Sequence, residues 1–311
     1  MNLDGRIYIA GNTGLVGSAL ERTLHREGYK NVIGTSSKDF DLRDFQATND
    51  FFLSSSPEYV FFVAARVGGI KANMTYPAEF IFDNLQMQNN VIHTAMRHKV
   101  KKLMFFGSNC MYPRECEQPM REDSLLTGIL EPTNQAYALA KLAGMEMCKA
   151  YRKQHGADFI TVIPANLYGP QDTYNQERSH FIPALLERFD LARLNSSPNV
   201  VMWGTGTPRR DVLYVDDLAE ACLLLMKDYS GERPINVGTG RDHSILEVAE
   251  TIKDVVGFRG KILFDASKPD GMPRKMLDAS RLQQLGWQAK TELRDGLALT
   301  YESFLKGKIR T

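Results

Sequence analysis

The sequence predicts an α/β fold, a doubly wound parallel sheet followed by a smaller C-terminal α/β lobe. Three observations lead there. Short, continuously apolar runs alternate with longer amphipathic ones over the first two-thirds of the chain. A glycine triplet sits where the first apolar run gives way to the first amphipathic one. The texture then changes after about Pro170, where Gly, Pro, Asn and charged residues crowd Gly169–Arg178.

The elements follow in order. Arg6–Ala10 reads as a buried strand, and Leu15–Glu27 as a helix with Leu15, Ala19, Leu20 and Leu24 at helical spacing. Asn31–Thr35, Tyr59–Ala64, Lys102–Gly107 and Phe159–Ile163 read as further strands, with helices at Ala78–Arg97 and Asn134–Gln154. Strands this continuously apolar belong to a parallel sheet covered on both faces, with right-handed crossovers. Beyond them, helices are expected at Ser179–Arg193, Asp216–Lys227, Ser244–Val256 and Thr291–Leu305. Short strands are expected at Val200–Met202, Val212–Tyr214, Pro234–Val237 and Lys261–Phe264. The expected division is residues 1–170 for the sheet domain, with a segment at about 212–243 returning to it, and 171–311 mainly for the second lobe. Ligands of such folds bind at the carboxyl ends of the strands.

Composition narrows the class. A chain of 311 residues with 43% hydrophobic and 24% charged residues suits a soluble globular protein with a large core. Lys+Arg number 38 and Asp+Glu 37, a net charge of +1. That balance argues against nucleic acid or an anionic membrane as main partner, and leaves room for a small anion gripped locally. Cys110, Cys116, Cys148 and Cys222 form no CxxC pair and no zinc-like spacing with His, so neither a metal site nor a disulfide framework is expected. A cytoplasmic setting is the expectation, since the N-terminal MNLDGRIYIAGN lacks the pattern of a signal peptide. No run approaches the ~18 apolar residues of a membrane span.

The glycine triplet Gly11-Asn12-Thr13-Gly14-Leu15-Val16-Gly17 lies between the first strand and first helix. In a Rossmann-type fold, Gly11 permits the tight turn, Gly14 lets backbone approach a pyrophosphate, and Gly17 lets the helix pack closely. The helix N-terminus then offers free N–H groups to phosphate. A glycine-rich turn can also be purely structural; its position favours a dinucleotide. The second strand ends near the adenosine ribose, and Gly34-Thr35-Ser36-Ser37-Lys38 holds no acid before Asp39. Hydroxyls and a lysine suit a 2′-phosphate, hence NADP(H), against the alternative of a plain solvated turn. Asp41 and Leu42 are candidates for the adenine edge.

Tyr137 and Lys141 stand four apart in a helical pattern, on one face. An adjacent ammonium would favour the phenolate and lower the tyrosine toward a useful acid–base range. The bland alternative is an exposed i,i+4 pair. Ser108, just past the fourth strand, is placed to orient a carbonyl in the same cleft. Together the glycine triplet, Ser and Tyr-x-x-x-Lys are far more specific than any one of them.

These motifs resemble those of the extended short-chain dehydrogenase/reductase superfamily and, within it, of the GDP-L-fucose synthase family, the GDP-4-keto-6-deoxy-D-mannose 3,5-epimerase-4-reductases. The resemblance covers nearly the whole chain. It is carried by Ala64–Ile70, Gly107–Pro113, Leu130–Asn134, Pro164–Pro170, Ser179-His180, Trp203-Gly204 and Phe264–Gly271. A 4-keto sugar acidifies the protons on C3 and C5, so inverting those centres needs a base on one face and an acid on the other. The resemblance implies Cys110 as base and His180 as acid, both side chains that can titrate near neutrality. Taken alone, a Cys after a core strand is more often packing, and a lone His a surface or capping group. The resemblance further implies that Tyr137 protonates the C4 oxygen during reduction, supported by Ser108 and Lys141.

For NADP(H) the matching positions are Gly11–Gly17, Ser37, Lys38, Asp41, Leu42, Ala64, Ala65, Phe106, Gly107, Ser108, Tyr137, Lys141, Pro164, Ala165, Asn166, Leu167 and His180. For the GDP-sugar they are Val67, Asn166, Arg188, Trp203, Arg210, Asp270 and Lys275. Arg210 and Lys275 suit the diphosphate, although Arg209 next door leaves the contact ambiguous. Val67, Gly68 and Gly69 are expected to form a loop over the nicotinamide end. Cys116, Cys148 and Cys222 read as structural.

Some members have His-Arg where this chain has Asn12-Thr13, an Arg at Ser37 and a Lys at Arg66. Sugar 4,6-dehydratases follow the active-site Ser or Thr with an acidic pair, whereas this chain has Asn109-Cys110. The 4-epimerases lack the Cys–His pair. The nearer rival is a reductase for another GDP-linked 4-keto sugar such as a heptose, and the remote one a non-catalytic NADP-sensing protein. The family is usually homodimeric through two long helices, with Ile81, Leu85, Ile92, Leu142, Met145 and Met147 as apolar candidates.

Overall fold

The computed structural model describes residues 1–174, 180–268, 270 and 272–309. Ser179, Pro269 and Gly271 of the family-like segments, and 175–178 of the polar loop, lie outside the described residues. The strands are β1 (Ile7–Ala10), β2 (Val32–Thr35), β3 (Tyr59–Phe62), β4 (Lys102–Phe106), β5 (Phe159–Pro164), β6 (Asn166–Tyr168), β7 (Asn199–Trp203), β8 (Arg209–Arg210), β9 (Val212–Tyr214), β10 (Ile235–Val237), β11 (His243–Ser244), β12 (Lys261–Asp265) and β13 (Arg274–Lys275). The helices are α1 (Leu15–Arg26), α2 (Phe45–Ser55), α3 (Ile70–Thr75), α4 (Pro77–Arg97), α5 (Gln135–His155), α6 (Phe181–Leu194), α7 (Val215–Asp228), α8 (Ile245–Val256), α9 (Ser280–Gln284) and α10 (Leu293–Ile309).

Among the described residues, six strands form one sheet in the order β2-β1-β3-β4-β5-β10. Every pair in it is parallel. Parallel strands hidden on both faces need apolar residues throughout, and β1 and β4 are buried at every position. The chain leaves β1 toward β2, then crosses back to β3 on the other side of β1. That reversal opens a crevice beyond the carboxyl ends of β1 and β3, where open α/β sheets bind ligands. The Gly11–Gly17 turn and the Ala64–Gly69 segment both start at that edge.

Helix α5 lies on β4 so closely that a Cβ at Gly144 would run into the Phe105 ring. Gln88 on α4 donates to the Ala140 carbonyl of α5 at 2.8 Å, locking the two long helices together. Helix α2 has little regular apolar spacing and escaped the sequence reading. Its start is fixed by Asp44, which accepts from the Ala47 N–H at 3.0 Å as an N-cap. A second apolar cluster, including Phe189, Val248, Ile252 and Leu297, lies among α6, α8 and α10. Around it, β7 pairs with β12, and β8 lies between β11 and β13. Of the segment expected to return to the main sheet, β10 does so, while β9 pairs with β6 outside it.

The structure corrects the candidate dimer contacts. Ile92, Leu142 and Met145 are buried in the chain's own core under α4 and α5. Withdrawing them from it would cost roughly 1.5–3 kcal/mol each, so they do not face a partner. The exposed apolar side chains on these helices are Phe82, at 62%, and Leu139, at 43%.

Candidate active site

The cleft begins at the glycine turn. Gly11 has φ +94°, and a Cβ there would stand 3.0 Å from the Ala64 backbone. A Cβ at Gly17 would overlap the Gly11 carbonyl, so this glycine is what lets α1 start against the turn. Gly14 is the N-cap, with no side-chain cap, and no acidic residue occupies the first turn of α1. The first N–H groups of this 12-residue helix therefore have no side chain competing for them, and the dipole end is unopposed. These features fit a dinucleotide pyrophosphate. Asn12 and Thr13 lie in the turn, with Asn12 Nδ2 3.4 Å from Glu21 Oε2.

At the end of β2 both acids are already engaged. Asp39 Oδ2 accepts from the Ser36 N–H at 2.7 Å and from the Ser36 hydroxyl at 2.9 Å, which holds its carboxyl below the ordinary range. Asp41 is gripped by Arg43 at 2.7 Å, which lowers it likewise. Ser37 and Lys38 are left exposed. Leu42 gives its side chain to the core, and its carbonyl accepts from Asn90 Nδ2 at 2.9 Å. Any adenine contact at Leu42 therefore falls to its remaining backbone, and at Asp41 competes with Arg43. Arg43 also pairs with Asp83 at 2.8 Å, and Asp83 with Arg66 at 2.7 Å. Asn84 accepts from the Arg66 N–H at 2.9 Å, fixing the loop that leads to exposed Val67.

The turn after β4 gathers four of the five expected catalytic side chains. Ser108 Oγ accepts from the Cys110 N–H at 3.3 Å and lies near the Tyr137 phenol. Lys141 Nζ donates to the Phe106 carbonyl at 2.8 Å and stands 5.9 Å from the Tyr137 ring centre. Lys141 is only 2% exposed. Burial lowers its amine from 10.5 to about 7. Burial pushes the Tyr137 phenol up, with the neighbouring Cys110 charge adding to the rise and the Ser108 hydrogen bond opposing it. The expected lowering of Tyr137 by Lys141 is thus not realised in the free protein. The lysine is itself desolvated and spends its hydrogen bond on Phe106. The phenol is kept protonated, the state from which it can give a proton.

His180 is the N-cap of α6 and is solvent-exposed. Among the described residues, no hydrogen bond joins it to the Ser108–Lys141 cluster. The protein around the ring still withdraws it in part from water, which lowers its imidazole below the ordinary value.

Farther along, Asn109 Nδ2 lies 3.4 Å from Asn166 Oδ1, and Asn166 Nδ2 donates to the Asp211 carbonyl at 3.0 Å. Pro164, Ala165 and Leu167 flank this junction. The sequence reading missed Asn109 and Asp211. Asp211 is 1% exposed and accepts from Thr239 Oγ1 at 2.7 Å, and burial raises its carboxyl to about 6. Its signal was an acid following two arginines into an apolar strand. The structure separates those arginines. Arg209 pairs with Asp242 at 2.8 Å. Arg210 has no acidic partner among the described residues, and burial lowers its guanidinium. Lys275 is its register partner across β8 and β13, also with no ion pair among the described residues. Two free cations side by side can take a diphosphate.

Trp203 is 69% exposed at the end of β7, and the Lys268 ammonium stands 5.8 Å from its ring. Arg188 donates to the Val201 carbonyl at 3.1 Å, on the same strand. Asp270 is engaged by the Thr205 N–H at 2.6 Å and hydroxyl at 2.9 Å, so it shapes the loop after Trp203.

The model of the NAD dependent epimerase/dehydratase family matches residues 7–238, the whole span from β1 past β10. The chain belongs to this family. It is 52% identical over 301 residues to GDP-L-fucose synthase 1 of Arabidopsis thaliana, covering 97% of this chain and 93% of that one. It is 48% identical over 314 residues to GDP-L-fucose synthase of Escherichia coli, covering 98% of each. Among solved structures it superposes at TM-score 0.91 on MlghC, the GDP-mannoheptose C4 reductase of Campylobacter jejuni with NADP bound. That pair shares 39% identity over 98% of this chain and 99% of the other.

Proposed function

We propose that this protein converts GDP-4-keto-6-deoxy-D-mannose to GDP-L-fucose, inverting C3 and C5 and reducing C4 with NADPH. The observation that carries the reading is a thiol, Cys110, set in the same turn as Ser108 and beside Tyr137. A reductase alone needs the hydroxyl and the phenol; a base at that turn is needed only where carbon centres are inverted. Similarity to GDP-L-fucose synthases over nearly the full chain supports it.

Residues 1–170 with the returning strand would hold NADP(H), and the rest of the chain mainly the nucleotide sugar. Gly11–Gly17 and the start of α1 would receive the pyrophosphate, Ser37 and Lys38 the 2′-phosphate, and Lys141 the nicotinamide ribose. Ala64, Ala65, Phe106, Gly107 and Pro164–Leu167 would line the nicotinamide end. Arg210 and Lys275 grip the diphosphate, and Trp203, Arg188 and Asp270 shape the nucleoside end. Val67 and Asn166 flank the sugar.

Cys110 as thiolate removes the proton from C3, then C5, each time made acidic by the C4 carbonyl. His180 returns a proton on the opposite face. Ser108 donates a hydrogen bond to the C4 oxygen, and Tyr137, held protonated by burial, gives that oxygen its proton during reduction. When bound, NADPH supplies the hydride taken up by C4. The engagement of Asp39 and Asp41 supports NADPH over NADH, because neither carboxylate is free for a ribose 2′-hydroxyl.

A homodimer through α4 and α5 is part of the proposal, supported by exposed Phe82 and Leu139. So is a cytoplasmic setting, which keeps the Cys110 thiol reduced. A second reading, a reductase for a GDP-linked 4-keto heptose, rests on the likeness to MlghC. The test of the main reading is Cys110→Ser. It should abolish deuterium uptake from solvent at C3 and C5 while NADPH still binds; undiminished uptake removes Cys110 from the mechanism.

A further inference from the structure

Asn134 carries a side chain whose behaviour the local fold does not explain. It is the N-cap of α5, where an asparagine ordinarily turns its side-chain oxygen onto the first free N–H groups of the helix. Here it makes no such cap. Its Nδ2 instead stands 3.0 Å from Cys110 Sγ, across 24 residues of chain. Among the described residues its Oδ1 is buried with no hydrogen-bond partner, and the Cys110 sulfur is the one side-chain group its Nδ2 meets. Among the described residues the sulfur's other side-chain hydrogen bond goes to Asn109 Oδ1, at 3.8 Å, an acceptor that can take a hydrogen bond from a thiol but gives none to a thiolate.

We infer that Asn134 is a positioning residue for Cys110: its amide N–H donates to the sulfur, favours the thiolate over the thiol, and aims it into the cleft. A hydrogen bond from an N–H is worth more to an anion than to a neutral acceptor, so the contact strengthens as the proton leaves. The inference rests on Cys110 being the epimerisation base, but the contact itself is measurable without substrate.

The experiment compares wild type, Asn134→Ala and Asn134→Asp by the rate at which iodoacetamide alkylates Cys110, read by peptide mass spectrometry across a range of pH. Solvent deuterium uptake at C3 and C5, and the Kd for NADPH, are measured on the same proteins. Asn134→Asp keeps size and is a strong N-cap, so it protects the fold while offering the sulfur only acceptor oxygens. Expected is a fall of about tenfold in alkylation at pH 7 in both variants. The profile moves to higher pH, deuterium uptake falls in step, and the NADPH Kd is unchanged. Wild-type alkylation in Asn134→Ala overturns the inference. So does wild-type alkylation in Asn134→Asp, which would mean the amide accepts from the thiol. Slowed alkylation with undiminished deuterium uptake supports the Asn134 contact and instead overturns the role given to Cys110.

Discussion

Lys141 offers a prediction whose size follows from its surroundings. The folded amine titrates at about 7 because burial disfavours its charge, against 10.5 ordinarily. Between those limits the unfolded chain binds more protons than the folded one, so this group makes stability rise with pH. Below pH 7 both states are protonated and the cost of the buried charge is carried in full. The limiting slope is about 1.4 kcal/mol per pH unit. Allowing for the half-protonated folded amine at pH 7, the gain from pH 7 to pH 9 is about 2 kcal/mol. Lys141→Met removes the titration. It also removes the hydrogen bond to the Phe106 carbonyl, but that loss is the same at both pH values and cancels in the comparison. Urea unfolding of both proteins at pH 7 and pH 9 measures the difference. The wild type should gain about 2 kcal/mol relative to Lys141→Met over that interval. Equal responses to pH would show that the amine is not desolvated, and would refute the account of this pair.

Three further outcomes follow from the site. Arg210→Ala should raise KM for the GDP-sugar by roughly 10- to 100-fold with kcat changed far less, as expected for loss of a charge-assisted contact to diphosphate. Arg209→Ala, which breaks the pair with Asp242, should lower Tm and leave KM nearly unchanged; equal KM effects would undo the separation of the two arginines. Gly17→Ala forces a methyl onto the Gly11 carbonyl and should cost about 1–3 kcal/mol in urea unfolding while weakening NADPH binding in titrations. NADPH should exceed NADH in kcat/KM, and Lys38→Ala should narrow the gap; equal values for the two cofactors in the wild type would remove the Ser36–Lys38 turn from cofactor choice.

Periodicity made most of the main sheet legible, because its strands are buried on both faces and its helices on one. The expected strand at Tyr59–Ala64 ends at Phe62; Val63 and Ala64 still donate to the Ala10 carbonyl as the chain turns off toward the cleft. The two-residue strands β8, β11 and β13 carry no periodic signal; their pairing depends on partners distant in sequence. Within the site, Gly11, Ser108, Tyr137 and Lys141 were legible through spacing. Asn109, Asn134 and Asp211 were not, since each works through a contact with a distant segment. The direction in which Tyr137 shifts was hidden too, because spacing shows that Lys141 is near but not that both groups are desolvated.

Whether one cleft both inverts and reduces is read from NMR of the product formed from GDP-4-keto-6-deoxy-D-mannose and NADPH in deuterium oxide. The expected product is GDP-L-fucose carrying deuterium at C3 and C5 and none at C4. A 4-hydroxy product that keeps the original configuration at C3 and C5, without deuterium there, would contradict it.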